Sequence, residues 1–369
     1  MRDEKIILVL CNGARVLDLS FFELIAELRR RGHRVHISVP KSDDVQPFRE
    51  IGCQITEISV DRRHKHLLSE YRLYRRFKHL MREIRPDLFL TFTVKPNILG
   101  GLAGEKCGIP GIPFITGLGS SVQKHGLTQS LIFRLCRKAF RQSPVVFTQN
   151  YSMAELYRIL GIVPVDKIRV TLGAGINLEK FPFVPYPAPE KPLRFLFVGR
   201  LMREKGILEY IEAAKSIRQM RPDVIFGVLG GWEEKKVFET VEQAARDKVI
   251  EYYGYSYEVC SYLADSHAMV LPSYHEGMSV AVAEAAASGR PVLVSNIPGC
   301  HEMVNDGVSG FLFRPRDAES LKSKMLEFLA MTHEERAAMG AAGRVKMEHE
   351  FDRRKMVEQY MEEIDRVLA

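Results

Sequence analysis

Strand-length apolar runs, each closed by a turn and followed by a stretch of helical period, recur along almost the whole chain. Ile6 to Leu10 is the first run and Cys11-Asn12-Gly13 its turn. Phe22, Ile25 and Leu28 then space a helix so that one side packs inward. Further strands are expected near 35–39, 54–60, 88–92, 112–116, 144–148 and 168–172. The pattern restarts at 194–198 and continues near 223–229, 249–253, 267–271, 291–295 and 310–313. Alternation of this kind builds α/β layers, a parallel sheet with helices on both faces. It breaks once, at FPFVPYPAPEKP (Phe181 to Pro192), where five prolines in twelve residues exclude a helix or a central strand. The expected division is therefore 1–181 and 194–348 as two Rossmann-like domains, with 182–193 as an extended linker. Residues 349–369 form a last helix with Met356, Tyr360 and Ile364 on one apolar stripe. Ligands of such sheets bind beyond the carboxyl ends of strands, so the loops at 11–13, 93–97 and 116–121 should share one rim.

Several classes are excluded by what the sequence lacks. No apolar run reaches the roughly 18 residues a membrane-spanning helix needs, and MRDEKIILVLCNG reads as a first strand, with acids at Asp3 and Glu4, rather than a signal peptide. A cytoplasmic protein is expected. The six cysteines (11, 53, 107, 136, 260 and 300) have no C-x-x-C spacing and read as reduced thiols, with no structural zinc site. No two aspartates are separated by a single intervening residue, so a D-x-D metal clamp is missing.

Charge is uneven. Residues 1–180 hold 29 Lys+Arg against 17 Asp+Glu, so the basic excess lies in the first half and that half should face something anionic. Residues 62–85 carry nine Lys+Arg and two acids, with Leu73, Phe77, Leu80 and Ile84 at helical spacing. A second basic helix runs from Leu127 to Arg141, with Leu131, Leu135 and Ala139 as its apolar stripe. Such helices either present a solvated charged face or lie on anionic lipid, where each basic residue contributes roughly 1 kcal/mol. No nucleic-acid module is recognisable, so nucleic acid is not an expected partner.

The stretch Val270 to Glu302 carries the chemistry. A buried strand leads into a loop with Glu276 and Gly277, then a small-residue helix from about Ser279 to Ala287, then a strand at Pro291 to Ser295. Backbone N–H groups of Gly277, Met278 and Ser279 at the helix start can seat an anion. Glu284 lies on a helix whose other residues are almost all apolar, where a carboxylate is rarely idle. Gly199-Arg200 and Lys205 flank another strand-to-helix turn; they either neutralise a diphosphate or are ordinary surface charges.

Glu276-x7-Glu284, between LPSY and ASGRPV, resembles the signature of the retaining family 4 glycosyltransferases of the GT-B fold. Val198-Gly199-Arg200-Leu201 with Lys205-Gly206, and Gly173-Ala-Gly-Ile-Asn177 with Phe181, are similar to further patterns of that family. Thr116-Gly-Leu-Gly119, Lys95-Pro-Asn97 and Pro298-Gly-Cys300 resemble a narrower group, bacterial enzymes that extend sugars on a polyprenyl diphosphate carrier.

The resemblance implies two Rossmann-like domains whose parallel sheets face a central cleft, with the last helix returning to the first domain. It implies transfer of a sugar, an N-acetylhexosamine or other hexose, from a UDP-sugar to a polyprenyl-diphosphate-linked saccharide, with retained configuration and no metal cofactor. Glu276, Arg200 and Lys205 are then catalytic. Asn12, Gly13, Tyr255, Gly277, Met278, Ser279 and Glu284 join them around the donor, and Lys95, Asn97, Gly117 and Gly119 contact the acceptor. The enzyme would work peripherally on the inner face of the cell membrane. Many family members have a histidine in the loop where this chain has glycine, and His125 is not at the matching place, so no general base is assigned. A soluble or lipid A core acceptor, or a nucleotide-binding module without turnover, remain alternatives.

Overall fold

The structure, a computed structural model, describes residues 4–41, 43–58, 67–116 and 127–369. It divides into two compact units: residues 1–174 with 354–369, and residues 175–353. The first holds seven parallel strands: β1 (Ile6–Cys11), β2 (Arg34–Pro40), β3 (Gln54–Ile58), β4 (Leu88–Phe92), β5 (Gly111–Ile115), β6 (Val146–Thr148) and β7 (Ile168–Val170). Their spatial order is β3-β2-β1-β4-β5-β6-β7. The second holds β8 (Arg194–Val198), β9 (Ile225–Leu229), β10 (Glu251–Tyr252), β11 (Ala268–Leu271), β12 (Val292–Ser295) and β13 (Gly310–Phe313), in the order β10-β9-β8-β11-β12-β13. Both are doubly wound α/β sheets, as the alternation required.

Strand order reverses once in each sheet, between β1 and β4 and between β8 and β11. At a reversal the two crossover connections leave in opposite directions and open a crevice at the strands' carboxyl ends, the usual ligand seat of an open α/β sheet. The turns at Asn12–Gly13 and Thr93–Asn97 lie at the first such point. Those at Arg200–Lys205 and Ser273–Glu276 lie at the second.

An aromatic ladder anchors the first unit. Phe92 on β4, Phe114 on β5 and Phe147 on β6 stack in sequence with centroids 4.6 and 4.9 Å apart. Tyr360 of the final helix (Arg353–Leu368) meets Phe114 and Phe147 edge-on, and its hydroxyl donates to Gly173 O at 2.9 Å. Met356, Met361 and Ile364 share that core. In the helix Leu127–Phe140 the buried side is Cys136, Ala139 and Phe140, while Leu131, expected in the inward stripe, is 55% exposed.

Residues 181–193 adopt neither helix nor strand, and this extended segment is fastened to the second unit. Arg290, fully buried, donates to the carbonyls of Val184 and Pro185 as well as Leu263, Ala264 and Gly289. Arg344 donates to Phe181 O, His333 bonds Pro187 O, and the Phe183 ring lies where a Cβ on Gly289 would stand. An extended segment leaves carbonyls without ladder partners, and the guanidinium groups of Arg290 and Arg344 supply donors to them. The contact boundary accordingly falls at 174/175 and 353/354, ahead of the proline run.

Candidate active site

The turn after β8 is pressed against the turn after β11. Gly206 makes this possible: its φ is +71°, and a Cβ there would stand 1.9 Å from Pro272 O. Tyr274 N donates to Glu204 O at 2.8 Å, tying the two turns together. The approach brings Lys205 Nζ to 2.5 Å from Glu276 Oε1, and Ser273 Oγ donates to the same oxygen at 2.7 Å. The two side chains are only 18% and 9% exposed, so their charges interact with little screening by water. Among the described residues nothing bonds Glu276 Oε2, which leaves a carboxylate oxygen able to accept from a ligand hydroxyl.

Behind this pair, Gly299 has φ +84° and its missing side chain lets the 297–300 turn close on Glu276 and Gly277. Gly299 O accepts from Ser279 N at 2.9 Å, so the Ser279 N–H, expected to be open to an anion, is already used. Ser279 instead caps the helix Val280–Ala287. Met278 N has no acceptor among the described residues and remains an open amide. Cys300 is fully buried beside Glu276 and Lys205, and desolvation holds its thiol protonated.

Glu284 lies half-buried on that helix. Desolvation raises its pKa to about 7, opposed by the charges of Lys180 and Arg353. Arg200 does not join Lys205 and Glu276: its guanidinium is 58% exposed and pairs with Glu233 at 2.7 Å. Tyr255 is half exposed, edge-on to Tyr257, with its ring against Gly231.

At the rim of the first unit, Gly13 caps the helix Ala14–Arg30 with extended backbone. Ala14 N donates to the Asp43 carboxylate at 2.6 Å, so the protein's own anion sits at that helix start. Lys95 pairs with Glu70 at 2.6 Å. Asn97 is buried and donates through Nδ2 to Phe114 O at 3.0 Å. Gly117 and Gly119 lie outside the described residues, as does His125. Sequence reasoning missed Ser273, whose small side chain gave no signal within LPSY. Among the described residues no cluster of His, Cys, Asp and Glu could hold a metal ion, and no helix is long and apolar enough to cross a membrane.

Two family models match in tandem: Glycosyltransferase Family 4 over residues 19–180 and Glycosyl transferases group 1 over 180–346. The chain is a family 4 glycosyltransferase of the GT-B class. It is 26% identical over 363 residues, 94% of each chain, to the N,N'-diacetylbacillosaminyl-diphospho-undecaprenol alpha-1,3-N-acetylgalactosaminyltransferase of Campylobacter jejuni. It is 28% identical over 290 residues, 71% of this chain and 70% of the other, to the UDP-Gal:alpha-D-GlcNAc-diphosphoundecaprenol alpha-1,3-galactosyltransferase of Escherichia coli. Among solved structures, Anabaena Alr3699/HepE in complex with UDP and glucose matches with TM-score 0.80 at 15% identity, over 98% of this chain and all of that one. Sucrose-phosphate synthase of Thermosynechococcus elongatus matches with TM-score 0.80 at 18% identity, over 99% of each. At these identities the structures speak for the fold.

Proposed function

We propose that this glycosyltransferase moves a hexose or N-acetylhexosamine from a UDP-sugar to a polyprenyl-diphosphate-linked saccharide, in the assembly of a cell-surface glycan. The observation that carries the reading is the Lys205–Glu276 pair at the second sheet's reversal point, in a chain alike along 94% of its length to an enzyme named for a diphospho-undecaprenol acceptor. The second relative also carries diphosphoundecaprenol in its name, and a UDP-bound neighbour supports the donor.

The reaction breaks the bond from the sugar's C1 to the diphosphate and forms one from C1 to an acceptor hydroxyl. That hydroxyl's proton passes to the departing diphosphate oxygen. Charge gathers on the leaving oxygens while cationic character grows on the ring, so fixed cations and amides near the leaving group lower the barrier. Lys205 and the Met278 N–H supply them, Arg200 reaches the diphosphate after exchanging Glu233 for it, and Glu276 orients the donor sugar through Oε2. Glu284 holds ribose hydroxyls and Tyr255 the base. Both relatives form alpha linkages; an alpha linkage made from an alpha-linked donor is retention. The step needs no metal.

The Leu67–Ile84 helix supports peripheral attachment to anionic lipid. Leu68 and Tyr71 are 70% and 58% exposed, and Arg72, Arg75, Arg76 and Arg82 are exposed beside them. Apolar and cationic groups on one surface suit the interface of an acidic bilayer. The test is incubation with UDP-N-acetylhexosamines and a polyprenyl-diphosphate-linked saccharide in EDTA, with the product's anomeric configuration read by NMR. An alpha-linked, lipid-borne product is expected. Transfer to free saccharides alone, or transfer stopped by EDTA, contradicts the reading.

A further inference from the structure

At the end of the second sheet where its strands begin, cations gather around one tyrosine ring. His267 precedes β11, Arg290 precedes β12, and Tyr186 enters from the extended segment 181–193. The Tyr186 ring meets His267 and His333 edge-on, with centroids 5.5 and 5.3 Å apart, and the Arg290 guanidinium lies 5.8 Å from its centre. Arg336, on the helix His333–Glu350, completes the group. Arg290 is fully buried and all its bonds go to neutral carbonyls, so its charge has no carboxylate partner.

Two donors here have nothing to bond. Tyr186 Oη and Arg336 Nε are each buried without a hydrogen-bond partner among the described residues, and the Arg336 guanidinium lies over the Phe328 ring rather than beside an acid. Arg194 N donates to His267 Nδ1 at 3.2 Å, so the neutral ring carries its proton on Nε2. Burial and the charges of Arg336, Arg290, His333 and Lys191 push the His267 pKa down to about 4, a sign of how positive these surroundings are. The neighbouring acids lie outside the group. Asp265 is exposed and pairs with Lys191, Glu334 is exposed 4.0 Å from His333, and Glu335 is engaged in the capping box with Thr332. A guanidinium can only donate, and buried charge without a counter-charge is costly. A water molecule could accept one of these bonds but would leave the charge uncompensated.

We propose that Tyr186 and Arg336, with His267 and Lys191 beside them, form a second anion site that takes the phosphate group of a small phosphate monoester. Donors from the extended segment and from the helix approach from different sides, which suits tetrahedral oxygens better than a flat carboxylate, and several cations suit a group of up to two charges. The site lies at the amino ends of the strands, whereas Lys205 and Glu276 follow their carboxyl ends. The four residues of β11 alone put roughly 13 Å between the two. A phosphate seated here would tie the 181–193 segment to the helix His333–Glu350. The inference does not depend on the donor or the acceptor.

The test is a phosphorus NMR titration of the full chain with inorganic phosphate and with glucose 1-phosphate. It is run with UDP in saturating excess and repeated on Lys205→Met, so that binding at the catalytic end is removed in two ways. Saturable broadening is expected in both. Arg336→Gln should weaken it about tenfold or more, and Tyr186→Phe, which keeps the ring contacts, by about threefold or more. Tighter binding of glucose 1-phosphate assigns the seat to a sugar phosphate, and equal binding assigns it to free phosphate. Should Arg336→Gln fail to fold, Tyr186→Phe carries the test. No broadening in the wild type, equal affinity in a folded variant, displacement by UDP, or equal displacement by acetate or chloride overturns the site.

Discussion

Lys205 and Glu276 are each held by more than the other: Ser273 shares the carboxylate oxygen, and Gly206 lets the lysine's turn approach. Both were legible because a Lys-Gly turn and a Glu before a small-residue helix are local patterns. Ser273 was not, since a hydroxyl within LPSY carries no pattern of its own, although its partner Glu276 lies only three residues on. Lys205→Met and Glu276→Gln should each lower kcat about a hundredfold or more. Because they act as a unit, the double variant should fall little further than either single one, as steady-state rates on all three will reveal. Glu284 gives a pH signature. Its folded pKa, about 7, lies above that of the unfolded chain, so between roughly pH 4.5 and 7 the folded state holds the extra proton. Stability from this group is present below that window and falls as pH rises through it, by at most about 3 kcal/mol. Glu284→Gln should remove that slope from the pH dependence of urea midpoints; an unchanged slope would count against the burial argument.

At the scale of elements, five prolines correctly excluded helix and strand at 181–192, but composition could not reveal that this segment is docked. That depends on Arg290, 98 or more residues away, whose full burial no charge pattern announces. Arg290→Met would strip donors from buried carbonyls, each worth about 1–3 kcal/mol when unsatisfied. The Tm should fall by 10 °C or so, and calorimetry will detect it. Arg290→Lys should rescue only in part, since one ammonium cannot reach five carbonyls. The basic helix was legible as amphipathic, with Leu73, Phe77 and Leu80 buried. Its exposed Leu68 and Tyr71 became evident only once the inward face was fixed. Reversing Arg72, Arg75 and Arg76 to Glu removes at least about 3 kcal/mol of attraction to acidic lipid, a hundredfold or more in partitioning. Flotation with phosphatidylglycerol vesicles measures it, and equal flotation of wild type and variant would contradict peripheral binding through this helix.

For the whole molecule, the alternation of apolar runs was enough to yield two parallel sheets, because each strand–helix period is a local signal and parallel pairing follows from the crossovers. Strand order was less accessible, and with it the fact that each sheet reverses where the chemistry-bearing turns lie. Family membership joins these points to glycosyl transfer; donor and acceptor stand as proposals. The most direct measurement is release of nucleotide diphosphate from a panel of UDP- and GDP-sugars, with and without polyprenyl-diphosphate-linked saccharide in vesicles. The account predicts that a UDP-sugar is consumed only when the lipid-linked saccharide is present, and that Lys205→Met abolishes this. Release of equal size without the lipid, or undiminished release by Lys205→Met, would contradict it.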